Sequence, residues 1–311
     1  MWKMQAGMGD VVFTPLYEVL KRRGVKFEYF HKLEEVIPDA VTQDRIASLR
    51  LTRQVTLNDG DYSPLVDVKG LACWPSQPLY DQIDPVQAQL LQENSINLES
   101  HWSDWPAIYQ QHFGKPLEAI HLQAGVDFDL VIYGLSVASL PVNCARLLPL
   151  SSPLRETSAR VKSVVTQAYQ LWLTQDLRTL GWQPLPESGE EPVLTSFTEP
   201  FDTWASMDQL LCREDWDATG DLPKNLAYFC SVQAISEFPP ATDHEFPARC
   251  AASVKTAAIA HMNSQMQWLW PNAQTNAGFH WDWLLDPQQQ TGPRRFDAQY
   301  WRSNIDPSER Y

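Results

Sequence analysis

Glycine is scarce in this sequence, and its scarcity limits the folds that the chain can form. The 311 residues contain 13 glycines, a share of about 4% where ~7% is usual. Folds that cradle phosphates need glycine-rich loops, because only glycine lets the backbone approach a phosphate closely and adopt positive φ without strain. We therefore do not expect a self-contained nucleotide-binding domain.

The only Gly-x-Gly pair in the chain is Gly7-Met8-Gly9. A dinucleotide-binding fingerprint needs a small residue at position 12, where Val12 stands, and a strand before the first glycine, for which the preceding residues leave no room. Two interpretations stay open. The pair brings the backbone close to a ligand at a helix amino terminus, or it forms a simple helix cap.

Composition excludes further classes of protein. With 44% hydrophobic and 20% charged residues the chain can build a large core, and a net charge of −14 disfavours binding to nucleic acid through a basic surface. The 13 tryptophans favour core packing. The alternatives are an aromatic-lined pocket for a flat or apolar ligand and a site where sugars stack on the indole rings.

Cysteine and histidine spacing predicts no metal site and no disulfide framework. The five cysteines form no Cys-x-x-Cys pair, no two histidines stand four residues apart around a glutamate, and no Gly-x-Ser-x-Gly elbow occurs. The sequence also lacks an apolar stretch of membrane-spanning length and a signal-peptide pattern. We expect a cytoplasmic protein with no integral membrane span.

Two segments carry the clearest candidate site. Thr14 to Gly24 reads as a capped helix, which could begin as early as Gly9, and the period-two pattern that follows predicts a strand at residues 25–30. Residues 128–134 form a continuous apolar run, which predicts a strand buried on both faces and ending at Gly134-Leu135-Ser136. Ligands bind at such strand ends in open α/β sheets, although a plain core strand is an equal alternative.

The remaining patterns predict further elements. Asn58-Asp59-Gly60 is typical of a hairpin turn, and residues 183–200 and 288–311 read as an acidic surface loop and a polar tail. We expect helices at 86–92, 142–148, 155–179 and 247–268, and strands at 226–232 and 278–285.

Several of these segments together resemble a known superfamily. Residues 2–10, the helix that follows, and the strand running to Leu33 and Val36 resemble the "GGMG" turn, helix and "xxVxxI" strand of FAD-dependent flavin amine oxidoreductases. This superfamily includes the amine oxidases and the phytoene desaturases. Residues 128–141 are similar to its "D-x-V-V-x-A-x-P-x-x-x-L" strand and turn, and residues 161–182 and 304–311 resemble its bacterial "NAD(P)-binding" branch.

The resemblance implies an α/β fold, in which an α+β substrate domain is inserted into a partial doubly wound FAD-binding domain. Residues 1–40 and 126–150 would belong to the FAD-binding domain, and residues 41–125 and 151–311 to the substrate domain. The family's amino-terminal glycine fingerprint and its carboxyl-terminal "A-G-D-W-T" segment are not in this sequence. The residues expected to contact FAD are Gly7, Met8, Gly9, Leu33, Val36, Gly134, Leu135 and Ser136.

The implied function is that of the central portion of a flavoprotein oxidoreductase. FAD would abstract a hydride from a small or apolar organic substrate, and the protein would bind and orient that substrate; the residues indicate no catalytic acid or base. We expect the chain to be inactive alone and to retain little FAD. Two alternatives stay open: a flavin-free half of a split enzyme that pairs with a second chain carrying the missing segments, and an acidic, tryptophan-rich ligand-binding domain.

Overall fold

The computed structural model describes residues 4–183, 192–216, 220–235 and 237–310, which form both helices and strands. The helices are α1 (Thr14–Arg22), α2 (Pro85–Glu93), α3 (Trp105–Phe113), α4 (Leu140–Asn143), α5 (Ser152–Arg160), α6 (Leu177–Leu180) and α7 (Phe246–Leu269). The strands are β1 (His31–Pro38), β2 (Ile46–Arg53), β3 (Val66–Val68), β4 (Leu71–Cys73), β5 (Glu118–Gln123), β6 (Val165–Leu173), β7 (Val193–Leu194), β8 (Thr203–Ser206), β9 (Asn225–Gln233), β10 (Gln274–Thr275), β11 (Gly278–Phe279) and β12 (Tyr300–Asn304).

The second half of the chain folds around a five-stranded sheet with the strand order β12-β6-β9-β8-β7. Alternate residues of β6 point towards α7, and Tyr169, Leu171 and Leu173 are fully buried there with Val254 and Met262 of the helix. This arrangement is typical of an antiparallel sheet with one face on the core. It forms the largest hydrophobic cluster among the described residues.

The first half contains a smaller three-stranded sheet with the order β1-β2-β5. A separate cluster around Ile83, Leu91 and Trp105 supports α2 and α3. Every strand pair of the described sheets is antiparallel. The mixed helix and strand content agrees with the predicted α/β class, whereas the parallel strands of a doubly wound sheet are not found among the described strands.

The predicted helix at 155–179 is wrong in its second part. The helix α5 ends at Arg160, and Val165 begins β6. The apolar positions in this segment fit a helical period and a period of two equally well, and pairing with β9 and β12 selects the strand.

The two strands predicted beside the candidate site are also wrong. Residues 25–30 form no strand, and β1 begins only at His31. Residues 128–134 form no strand either, and Leu130 and Ile132 are 78% and 87% exposed. An apolar run forms a buried strand only when neighbouring strands pair with it, and no described strand pairs with either segment.

Local signals predicted several other elements correctly. The structure confirms α1, α2, α7 and β9, and a π-helical turn at Gly9–Phe13 leads into α1 at the earlier start that the sequence allowed. The predicted hairpin at Asn58 is wrong, because the paired strands are β3 and β4 around Lys69 and Gly70, both at positive φ.

Three further predictions are only partly correct. The helix expected at 142–148 is the single turn α4, and the strand expected at 278–285 is limited to β11. The predicted polar tail contains β12. Of the predicted loop at 183–200, residues 184–191 lie outside the described part of the chain. The described residues contain no helix long and apolar enough to cross a membrane.

One ionisable pair lies inside the main core. The hydroxyl of Tyr169 is 2.8 Å from Nδ1 of His261, which is 2% exposed and surrounded by the rings of Phe197, Phe201 and Phe229. His261 Nε2 has no hydrogen-bond partner among the described residues. Burial lowers the pKa of His261 to about 4, so the imidazole is neutral at pH 7.

This burial predicts an acid-sensitive core. The unfolded chain takes up a proton at His261 near pH 6.5, whereas the folded chain does so only near pH 4. Stability contributed by the neutral imidazole is therefore complete above pH 6.5 and declines by up to about 3 kcal/mol as the pH falls to 4. We expect His261→Gln, which keeps a hydrogen-bonding group but does not titrate, to remove this decline in urea unfolding measured against pH. Exposed His121→Gln is the control, and identical pH profiles for the native chain and His261→Gln would contradict the assignment.

Candidate functional site

The turn at Gly7 to Gly9 is held by its own chain and by a distant tryptophan. The carbonyl of Gly7 accepts hydrogen bonds from the backbone N–H groups of Asp10 and Val11, at 2.9 and 3.1 Å. The carbonyl of Gly9 accepts one from the indole N–H of Trp74 at 3.2 Å. A Cβ at Gly7 would lie 2.8 Å from the Asp10 carboxylate, so a larger residue there would have to displace that side chain. Met8 is 56% exposed.

The apolar positions predicted on the strand lie in β1. Val36 is 3% exposed and packs in a cluster with Leu140 and Cys144. Leu33 lies at the edge of this cluster, and its carbonyl accepts a hydrogen bond of 2.7 Å from the side-chain amide of Asn143. Val36 is therefore enclosed by protein, whereas Leu33 is only half-buried.

The third predicted group, Gly134 to Ser136, lies on an open side of the chain. A Cβ added at Gly134 would meet no atom within 4 Å, and Leu135 is 42% exposed. Ser136 begins the short helical turn that leads into α4, and its hydroxyl donates to the backbone carbonyl of Arg310. The side chain of Ser136 is thus already engaged by the carboxyl-terminal part of the chain.

The structure brings two of these three groups together. Tyr133 and Val137, which flank Gly134 to Ser136, join the same cluster as Leu33 and Val36. The Gly7 to Gly9 turn packs instead against Trp74. The fold thus brings Leu33 and Val36 of β1 into the cluster that flanks the 134–136 turn. None of the eight predicted residues lines the cavities of about 660 and 280 Å³ in the described structure.

The polar groups of this cluster are neutral. The Tyr133 hydroxyl lies within hydrogen-bonding distance of Ser139 Oγ and of Asn143 Oδ1, the latter at 3.2 Å. Burial raises the pKa of Tyr133 and also that of the Cys144 thiol. Neither group provides a base at neutral pH, and the described residues contain no cluster of three potential metal ligands.

Exposed apolar side chains concentrate on the segments that hold the predicted cofactor residues. Of the large hydrophobic side chains that are exposed, seven lie in residues 1–40, six in residues 126–150 and nine in the rest of the described chain. The outer face of the first helix and turn contributes Met8, Val12, Phe13 and Leu16. Exposed apolar side chains concentrated on two segments in this way favour contact with another polypeptide at one or both of them.

The carboxyl-terminal turn at residues 305–310 connects this region to the five-stranded sheet. The Asp306 carboxylate accepts a hydrogen bond of 2.5 Å from the backbone N–H of His101, and Arg310 contacts Ser136 through its carbonyl. The Arg310 guanidinium lies 3.8 Å from the ring centre of Phe238. No sequence pattern indicated these contacts, because their partners are far apart along the chain.

The tryptophans serve mainly as core residues. Trp102, Trp105, Trp204 and Trp270 are almost completely buried, and no tryptophan lines the cavities of about 660 and 280 Å³. This arrangement does not support a tryptophan-lined sugar site.

Comparison of the chain with protein-family models, with curated proteins and with solved structures finds no match.

Proposed function

We propose that this chain is the central portion of an FAD-dependent oxidoreductase of the amine oxidase and phytoene desaturase type, and that it needs additional polypeptide to hold FAD. The observation that carries the proposal is the concentration of exposed apolar side chains in residues 1–40 and 126–150. These are the segments that the resemblance assigns to the FAD-binding domain.

The contacts of the carboxyl-terminal turn support the same assignment. After β12 the chain returns from the five-stranded sheet to Ser136. In the resembled family, the segment that follows the substrate domain completes the FAD-binding domain. Residues 305–310 therefore contact a segment that the resemblance assigns to the FAD-binding domain.

The residues present fit FAD only in part. The backbone at Gly134 has space for a flat ring system, and half-buried Leu33 belongs to the same cluster as the adjacent Tyr133. The Gly7 to Gly9 turn has Val12 where a dinucleotide-binding loop needs a small residue, and it packs on Trp74, so we do not expect it to replace a glycine loop for the pyrophosphate. FAD, when bound, would accept a hydride from a substrate C–H bond.

The chain's own contribution would be to bind and orient the substrate. The face of β6 and β9 that points away from α7 carries the half-buried side chains of Gln170, Trp172, Tyr228 and Cys230. The indole of Trp172 donates to the carboxylate of Glu214 at 3.0 Å, and burial raises the pKa of this carboxyl group. A mixed aromatic and polar face of this kind suits an organic substrate of low charge.

The split-enzyme alternative rests on the same exposed surface and differs only in where the missing segments are encoded. Reading frames adjacent to this gene distinguish the two. A glycine fingerprint in the same frame supports a single enzyme, and the same fingerprint in a separate gene supports a split one.

The proposed function makes a prediction about FAD retention. We expect the chain alone to lose FAD on gel filtration, because three or more charge-assisted hydrogen bonds to the pyrophosphate, each contributing about 1.5–3 kcal/mol, are missing. Their loss weakens binding by several powers of ten. Co-expression with a polypeptide carrying a strand, a G-x-G-x-x-G loop and a helix should restore the flavin absorbance.

Two variants of Gly134 sharpen this test in the co-expressed complex. Gly134→Trp should abolish FAD retention by filling the open side, whereas Gly134→Ala should retain it, because a Cβ meets no atom within 4 Å. Stoichiometric FAD on the chain alone would show that the account of the missing segments is wrong.

The proposed function also makes a prediction about self-association. We expect the chain alone to associate through its exposed apolar segments, and Ile132→Glu to weaken this association. Removing one buried isoleucine contact, about 1.5–3 kcal/mol, corresponds to a ~10- to 100-fold higher dissociation constant. Sedimentation velocity over a concentration series measures it. Val41→Glu is the matched control, since Val41 is 90% exposed but lies outside the apolar segments; equal effects of the two variants would count against the contact surface.

A further inference from the structure

A cavity of about 660 Å³ lies between the amino-terminal half of α7 and the ends of β6 and β9. Ligand pockets in proteins usually have volumes of roughly 300–1,000 Å³. None of the residues predicted to contact FAD lines this cavity. It is therefore a separate candidate site, and it belongs to the half of the chain that has a complete core.

Two walls of the cavity are mostly apolar. Phe246, Cys250 and Ala257 line it from one face of α7, since residues three, four or seven apart lie on the same side of a helix. Ile235 and Phe238, from the segment after β9, form a second wall that meets the first, since the ring centres of Phe238 and Phe246 are 6.3 Å apart. An aromatic or aliphatic ligand of moderate size would bury apolar surface against both walls.

The charged groups at the rim do not favour an ionic ligand. The Arg249 guanidinium is already bound by both carboxylate oxygens of Asp243, at 3.1 and 2.6 Å. This pairing, mainly through its hydrogen bonds, lowers the pKa of Asp243 and raises that of Arg249. Glu237 is exposed at the rim, where water solvates its charge. Because Arg249 is already paired and Glu237 is solvated, an uncharged ligand fits the cavity best.

One polar side chain in the cavity has an unused acceptor. Gln167 is 5% exposed, and its Nε2 donates to the backbone carbonyls of Pro200 at 3.0 Å and Val232 at 3.4 Å. Because both partners are acceptors, the orientation of the amide is determined. Oε1 accepts no hydrogen bond from the described residues, and it is not among their fully enclosed atoms. It is thus a fixed acceptor, open to the cavity.

We propose that this cavity binds an uncharged ligand with an aromatic or apolar body and one N–H or O–H group, and that Gln167 Oε1 accepts the hydrogen bond from that group. The proposal does not depend on FAD binding, because the lining residues all lie in the second half of the chain. Failure of the flavin proposal would leave it intact.

The test uses a neutral fluorescent probe of this class, N-phenyl-1-naphthylamine, which has two aromatic groups and a single N–H. We expect saturable binding to the full chain with enhanced fluorescence. The N-methyl derivative, which has no N–H, should bind about 5- to 10-fold more weakly, the usual consequence of losing one hydrogen bond. This comparison needs no variant. Absence of saturable binding, or equal affinity for both probes, would overturn the proposal.

Variants then locate the probe. Ala257→Trp should abolish saturable binding by filling the cavity, whereas Ala252→Trp, on an exposed position of α7 that does not line the cavity, should leave it unchanged. Gln167→Met should remove the difference between the two probes. Equal affinities of the two tryptophan variants would overturn the assigned location, since the probe would then be bound to the exposed apolar segments.

The thiols of Cys250 and Cys212 provide a control that needs no substitution in the chain. Cys250 lines the cavity and is 6% exposed, whereas Cys212 is exposed elsewhere. Saturating N-phenyl-1-naphthylamine should slow alkylation of Cys250 by N-ethylmaleimide at least about fivefold, as followed by peptide mass spectrometry, and leave Cys212 unaffected. Unchanged alkylation of Cys250 at saturating probe would contradict binding in this cavity.

Discussion

The central position of β6 in the five-stranded sheet is the constraint on which most of the structure depends. The strand pairs with β9 along all nine of its residues and with β12 along five. Its partners lie far along the chain, so the loop-closure entropy must be offset by burial of the β6 face against α7. Pairing with β12 also returns the carboxyl-terminal turn to His101 and Ser136. Pairing of β12 with β6 therefore supports one set of contacts between the two halves of the chain, and Trp102 makes another through Pro239 and Phe246.

The same strand explains where the cavity lies. Tyr169 and Leu171 are covered by α7, whereas Gln167, on the same face, lies towards the end of the strand. There the backbone carbonyls of Pro200 and Val232 are available, and a buried polar side chain is stable only where such partners exist. A glutamine at this position thus marks the point where the apolar core ends and a cavity with a fixed acceptor begins.

The elements that could be predicted are those with local signals. Each of these signals lies within the segment that forms the helix. They are the apolar stripe and terminal glycine of α1, the proline at the start of α2 and the long apolar pattern of α7, and the structure contains all three helices. The segments at 161–173 and 128–134 are different, because an apolar run does not specify its pairing partner. The acceptor on Gln167 could not be predicted for the same reason: the carbonyls that fix its amide are 33 and 65 residues away.

The two halves of the chain differ in how complete they are, and this difference separates the two proposed sites. Covering residues 1–40 and 126–150 would remove apolar surface from water, whereas the second half already buries its core. A partner on the first half and a ligand in the cavity would therefore bind through different surfaces. The sites are nevertheless joined by direct contacts: Ser136 bonds to the carbonyl of Arg310, and the Arg310 guanidinium stacks on Phe238, which lines the cavity. Residues in contact often show non-additive effects on stability, so we expect substitutions at Ser136 and Phe238 to be energetically coupled through Arg310.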